Sequence, residues 1–237
     1  PISLSDLKGK TIAIQQGGPH VGMLDDILNT AQLSWSDVTI RWTKDLTASP
    51  DSPAELLKKN TQIDACFAIT PDMLGLCGGL ENIGTGAEGT VKGAHVLVST
   101  AELSRSIADV YVCRKDFYDS NQELITKFVA GYLRATEELV DMKRQYEAGG
   151  SSKYDQVLNM TQKIYGSEVI PVLEEAHGLI SDCSFVGYPG NVIFFTQKGN
   201  LSGFEAFQES ALMLAVSQGY AKEKMGLFPS GLNYQSD

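Results

Sequence analysis

Between Gln15 and His20 the chain reads QQGGPH, and this is the stretch whose residue types are best suited to hold a ligand. Ahead of it Lys10 to Ile14 is a short β-prone run introduced by Gly9; after it Leu24, Ile27, Leu28 and Ala31 recur at helical spacing. Strand, Gly-rich turn and helix in that order expose backbone N–H groups at the partly positive end of a helix, where an anionic or strongly polar group can be held without a charged side chain. Gln15 to His20 is therefore the expected ligand-contacting loop, although the same turn in many α/β proteins only reverses the chain. A second stretch, Thr70-Pro71-Asp72, ends an apolar run. Asp72 is placed there either to accept a hydrogen bond from a ligand amine or hydroxyl or to cap a following helix. His20 and Cys66 are the reactive side chains to weigh for catalysis, but His20 has no orienting partner visible in the sequence. Cys66 lies inside an apolar run, the setting of an inert thiol.

Composition narrows the chemistry further. Twenty-nine acidic against 19 basic side chains give a net charge of -10, and Lys and Arg never cluster beyond pairs such as Lys58-Lys59. That excludes a nucleic-acid footprint and attraction to anionic lipid, leaving soluble partners and small ligands. No apolar run reaches the roughly 18 residues of a membrane span, so no membrane insertion is expected, and PISLSD lacks the features of a signal peptide. The first residue is Pro rather than Met, which suggests a processed or trimmed chain. Cys66, Cys77, Cys113 and Cys183 form no C-x-x-C pair and share no metal-ligand spacing with His20, His95 or His177, so neither metal nor cofactor is expected. Cys66 and Cys113 sit in β-prone runs, which predicts two buried free thiols.

The positioning elements follow from periodicity. Val38 to Thr43 alternates as a strand; Ser52 caps a short helix over 53 to 60, with Pro53 at its first position and Glu55 completing a capping box. Ile63 to Ile69 is continuous and apolar, as in a strand buried on both faces. The order βαβαβ with right-handed crossovers makes the strands parallel and brings Gln15–His20 and Thr70–Asp72 to the same carboxyl edge. Gly84 to Gly89 (GTGAEG) matches the dinucleotide pattern by letter, but Ala94 to Ser99 continues as a strand instead of a helix, so a nicotinamide or flavin site is rejected and a mobile Gly-rich loop expected. Val98 to Asp109 leads out of this unit to a strand at Val110–Arg114. A capping box at Ser120–Glu123 then opens a long helix with an apolar stripe from Leu124 to Val140. After the break at Gly149–Ser152 a helix through Tyr154 to Ile164 is expected, then an irregular stretch from Gly178 to Asn200, then a closing helix through Phe204 to Leu214. The predicted fold is α/β, with a mainly parallel lobe over residues 1–100 and a more helical region over 101–237.

The runs DLKGKTIAI, PAELLKKNTQIDACFAITPD, KGAHVLVST and ADVYVCRKDFYDSNQELITKFVAGYLRAT, in that order and spacing, resemble the type II solute-binding proteins of ABC importers. The resemblance is nearest to the receptors for sulfonates, taurine and thiamine precursors, and it covers roughly residues 1 to 140. It implies a periplasmic-binding-protein fold of two lobes closing by a hinge over a small polar or anionic solute. It also implies an extracytoplasmic, periplasmic location, a role in delivering solute to ABC importer membrane subunits, and no enzymatic activity. By the same resemblance, the ligand residues are Gln16, Gly17, Gly18 and His20 after the first strand and Thr70, Pro71 and Asp72 after the third. Relatives carry about half of the first lobe ahead of the DLKGK stretch, so the chain is expected to be a fragment or its second lobe to be incomplete. Pyrimidine-synthase relatives of this fold need a Cys-rich iron motif and a nucleophilic His, and no such cluster occurs here. The alternatives are such an enzyme or an interaction module of a larger envelope protein.

Overall fold

The structure is a computed structural model that describes residues 2–100, 107–150, 152–229 and 231. Strand β1 (Thr11–Gln15) carries Ile12, Ala13 and Ile14, all buried, so both of its faces are covered. It is the central strand of the sheet. It pairs in parallel with β2 (Thr39–Thr43) on one side and β3 (Ala65–Cys66) on the other, giving the order β2-β1-β3. Helix α1 (His20–Thr30) connects β1 to β2 and buries Val21, Leu24, Ile27 and Leu28, the 3–4 spacing of one helical face. Gln32, at φ 56, then turns the chain through the left-handed region that ends many helices.

Helix α2 (Pro53–Lys59) starts as the sequence predicts: the buried Ser52 hydroxyl accepts from the Glu55 N–H at 3.4 Å, and Pro53 holds the first position. The Glu55 carboxylate does not complete a capping box. It pairs with the Lys58 and Lys59 ammonium groups, each at 2.9 Å, on the following turn.

Several expected strands are corrected. β3 has two residues in the ladder, pairs only with β1 and is half-buried, not covered on both faces. Thr70–Asp72 is not a loop but the first turn of α3 (Thr70–Cys77), which ends at Gly78 in the left-handed conformation. Ala94–Ser99 is not a strand. The Gly-rich segment before it is closed by paired bonds, Gly84 N–H to the Ala94 carbonyl and Gly93 N–H to the Gly84 carbonyl, both 2.7 Å. Val91 N–H adds a bond to the Leu76 carbonyl at 2.8 Å. The connection assigned to Val98–Asp109 lies partly outside the described residues, as does Ser151 of the Gly149–Ser152 break.

The chain forms two compact units, Pro1–Ala108 with Gln162–Asp182, and Asp109–Thr161 with Cys183–Asp237. The first contains the sheet, α1 to α3 and α7 (Leu173–Ser181), with Ile170 and Ala176 fully buried. The second holds α4 (Lys115–Ser120), α5 (Gln122–Glu147), most of α6 (Ser152–Tyr165), α8 (Tyr188–Thr196) and α9 (Phe204–Ser217). Val110–Arg114 is irregular, not a strand, since no neighbouring strand offers it a ladder; the described sheet lies wholly in the other unit. Ser120 does not cap α5: its hydroxyl donates to the Asp116 carbonyl, and Asn121 takes the cap position. The stretch expected to be irregular, Gly178–Asn200, includes the end of α7 and all of α8. Tyr154 and Leu158 of α6 are buried beside Tyr146, whose ring centroid lies 4.9 Å from that of Tyr154. Cys113 is exposed rather than buried, because the expected strand around it is absent. No helix among the described residues is long and apolar enough to cross a membrane.

Candidate ligand-binding site

Parallel strands deliver their following loops to one edge, and three loops meet there: residues 16–19, 44–52 and 67–69. The first is fastened to the second. Gln16 N–H donates to the Thr43 carbonyl at 2.9 Å, and the Gln15 amide nitrogen donates to the Lys44 carbonyl at 3.2 Å. Gly17 supplies the positive φ of 65 that the reversal requires, and Gly18 N–H returns to the Gln15 carbonyl at 3.4 Å. The N–H groups of Gln16 and Gly18 are thus engaged within the fold. A Cβ on Gly18 would meet the Gln15 side-chain oxygen, so bulk there disturbs the link to Lys44.

His20 opens α1 with 7% of its surface exposed, its ring 5.4 Å from that of Phe67 at a 32° tilt. The first and third loops are joined by that contact. Its Nδ1 is buried without a partner, and burial pushes the imidazole below its ordinary pKa because the charged form would lose its hydration. Thr70, in the first turn of α3, donates its hydroxyl to the Asp182 carboxylate at the end of α7. That hydroxyl is therefore committed to holding α3 against α7.

Asp72 sits two residues further along α3 and lines a cavity of about 310 Å³ with Ala48, Ser49 and Pro50 of the second loop and Ser52, Glu55 and Lys59 around the start of α2. One of its oxygens, Oδ2, is buried without a hydrogen-bond partner. Burial raises the Asp72 pKa; a hydrogen bond from Thr47 and the Lys58 charge work in the opposite direction, and the Glu55 charge adds to the rise. A carboxyl group in that setting accepts hydrogen bonds strongly when ionised and can donate one when protonated. Behind it the Cys66 thiol is pushed up to about 12, first by burial and then by the Asp72 charge. Cys66 as a residue is half-buried, and the thiol is held protonated and unreactive by the raised pKa.

The structure therefore brings Asp72 to a cavity, sets His20 against Phe67 at the same sheet edge, and joins Thr70 to Asp182 instead. Gln16, Gly17, Gly18, His20 and Thr70 do not line the cavity. The residues missed from sequence are those of Ala48–Ser52. Their sequence, ASPDS, reads as an ordinary turn ahead of a capped helix, and the only available signal was its position after the second strand of a parallel sheet. Among the described residues no group of three or more His, Cys, Asp or Glu is arranged to hold a metal ion.

Compared with known proteins, residues 2–145 match the model of the NMT1/THI5 like family. No curated protein and no solved structure matches the chain.

Proposed function

The chain belongs to the NMT1/THI5-like family, type II periplasmic binding proteins of sulfonate and thiamine-precursor ABC importers, and from that membership we propose that it binds a small polar or anionic solute outside the cytoplasm and presents it to the membrane subunits of an ABC-type importer. The mixed α/β fold, with its small parallel sheet and many helices, is compatible with that family. In this proposal residues 1–100 form the ligand-binding lobe, and 101–237 carry the return segment and a helical second lobe. The ligand lies against Gln16, Gly17, Gly18, His20, Thr70 and Asp72, to which the cavity adds Ser49, Ser52 and Lys59.

The observation that carries this reading is the cavity at the carboxyl edge, where the Asp72 carboxyl retains an oxygen with no protein partner. A buried acceptor without a partner costs about 1–3 kcal/mol, and a ligand that donates to it would recover part of that cost if modest side-chain adjustment gave it access. The family also contains pyrimidine synthases, which keeps an enzymatic reading in view. A Cys66 thiol pushed up to about 12 is held in its non-nucleophilic form, which favours binding over thiol chemistry.

Native mass spectrometry of the purified chain, followed by a thermal-shift panel of sulfonates, aminopyrimidines and other small polar solutes, tests the proposal. A bound solute recovered unchanged supports the receptor role. A solute recovered chemically altered, or a covalent adduct on His20, supports the synthase reading instead.

A further inference from the structure

Glu55 and Asp72 both line the cavity between the start of α2 and the first turn of α3, and the fold treats the two carboxylates differently. Glu55 holds two cations, the Lys58 and Lys59 ammonium groups, each at 2.9 Å. Asp72 holds none. The Thr47 hydroxyl bonds its carboxyl, but no salt bridge reaches it among the described residues, and its Oδ2 is buried without a partner. A cation is nevertheless close: a Cβ on Gly75 would lie 3.7 Å from Lys58 Nζ, so that ammonium rests against α3 one turn beyond Asp72 and is drawn to Glu55 instead. An acidic residue in the first turn of a helix ordinarily meets solvent or the N–H groups exposed there. Neither serves the buried oxygen of Asp72.

We propose that Asp72 is the seat for the positive end of the solute, and that the solute taken at this cavity is a small organic cation with N–H donors, a primary ammonium or amidinium, in place of an anion. This rests on the receptor reading above and narrows it. Asp72 is the lining carboxylate without a counter-ion, and a buried charge is costly until a group of opposite sign and good hydrogen-bond geometry reaches it. The hydroxyl oxygens of Ser49 and Ser52 each already accept from a backbone N–H, those of Asp51 at 3.2 Å and Glu55 at 3.4 Å, and each keeps a second lone pair for a further donor. An ammonium, which only donates, suits such a set of acceptors. Ala48 and Pro50 supply an apolar wall for a short carbon chain.

An anion fares worse in the same place. A sulfonate or carboxylate would sit against the ionised Asp72, and the Lys59 ammonium that could offset the repulsion is already paired with Glu55. The serine hydroxyls serve either sign, so the unpaired carboxylate decides between them. The last torsion of an Asp side chain is broad, so turning the Asp72 carboxyl toward an entering cation requires no change of rotamer.

Thermal-shift titrations of the 237-residue chain at neutral pH and constant ionic strength test this with butylammonium, tetramethylammonium, butanesulfonate and butyramide. Butylammonium should give a saturable rise in Tm; tetramethylammonium, which has the charge but no N–H, should not, nor should the anion or the neutral amide. Asp72→Asn should weaken butylammonium binding at least about tenfold, the effect of losing a charge-assisted hydrogen bond, while Glu138→Ala leaves it unchanged. The contrast between the two cations decides the matter if Asp72→Asn fails to fold. No shift from butylammonium, equal shifts from both cations, or an Asp72→Asn chain that binds butylammonium as tightly as the parent would each overturn the seat. A saturable shift from butanesulfonate without one from butylammonium would overturn the seat and leave the receptor proposal standing. Butylammonium held at Asp72 in a chain that chemically alters its own solute would uphold the seat and overturn the receptor proposal.

Discussion

Gln15 and Lys44 are joined across the carboxyl edge of the sheet: the Gln15 amide nitrogen donates to the Lys44 carbonyl at 3.2 Å, with the Gln15 amide oxygen lying where a side chain on Gly18 would have to go. The loop after β1 therefore sets the position of the loop after β2, which lines the cavity. Gly18→Val should expel the Gln15 amide and abolish the thermal shift given by a bound solute. At about 100 times its dissociation constant a ligand adds about 2.7 kcal/mol of stability, which is readily seen in such a scan. Glu138→Ala, which removes an exposed pair to Arg134, should leave the shift intact. A solute that stabilises Gly18→Val as strongly as the parent would exclude this loop from the site.

Asp72 is held above its ordinary pKa by burial, so its ionised form opposes folding above that raised value, and protonation relieves the penalty as the pH falls through it. Asp72→Asn should therefore melt higher than the parent at pH 7 without ligand, and the gap should narrow as the pH falls toward the ordinary aspartate value of 3.8. In the proposed receptor the same substitution weakens solute binding. Paired melting scans at neutral and acid pH check the first effect, and a variant that melts lower at pH 7 would contradict it.

His20 has the opposite linkage to acid. Its pKa is lowered in the fold by burial, so as the pH drops below 6.5 the unfolded chain takes up the proton first and stability falls. His20→Phe, which keeps a ring against Phe67, should lose less stability than the parent between pH 7.5 and 5. Equal slopes of melting temperature against pH for the two proteins would remove His20 as the cause.

Gly84 is required for close approach: a Cβ there would collide with the Val91 carbonyl and stand 2.8 Å from the Leu76 carbonyl, both rigid backbone. Gly84→Ala should cost about 1–3 kcal/mol in urea unfolding, as overpacking usually does. Gly89 has a positive φ of 85 but open space around it, so Gly89→Ala should cost only about 1 kcal/mol.

Thiol accessibility separates the cysteines. At pH 8 Cys113, exposed, should react with a thiol reagent within the mixing time of an unhindered thiol, whereas Cys66, pushed up to about 12, should label only on unfolding. Rapid native labelling of Cys66 would show that its sulfur is not sheltered beside Asp72.

The sequence by itself determined the elements whose signals are local. Lys10–Ile14 read as a strand from its β-prone run after Gly9, and Ser52-Pro53 read as a helix start because cap and ring chemistry act within one turn. The βαβαβ order then dictated parallel strands and a shared loop edge. Tertiary structure decided what depends on partners distant in the chain. Thr70 was bonded to Asp182, more than a hundred residues away, and the turn at Ala48–Ser52 became a cavity wall only when Asp72 was set opposite it. Val110–Arg114 has the composition of a strand and forms none, because a strand exists only through bonds to a neighbour, and β-propensity cannot report whether that neighbour is there.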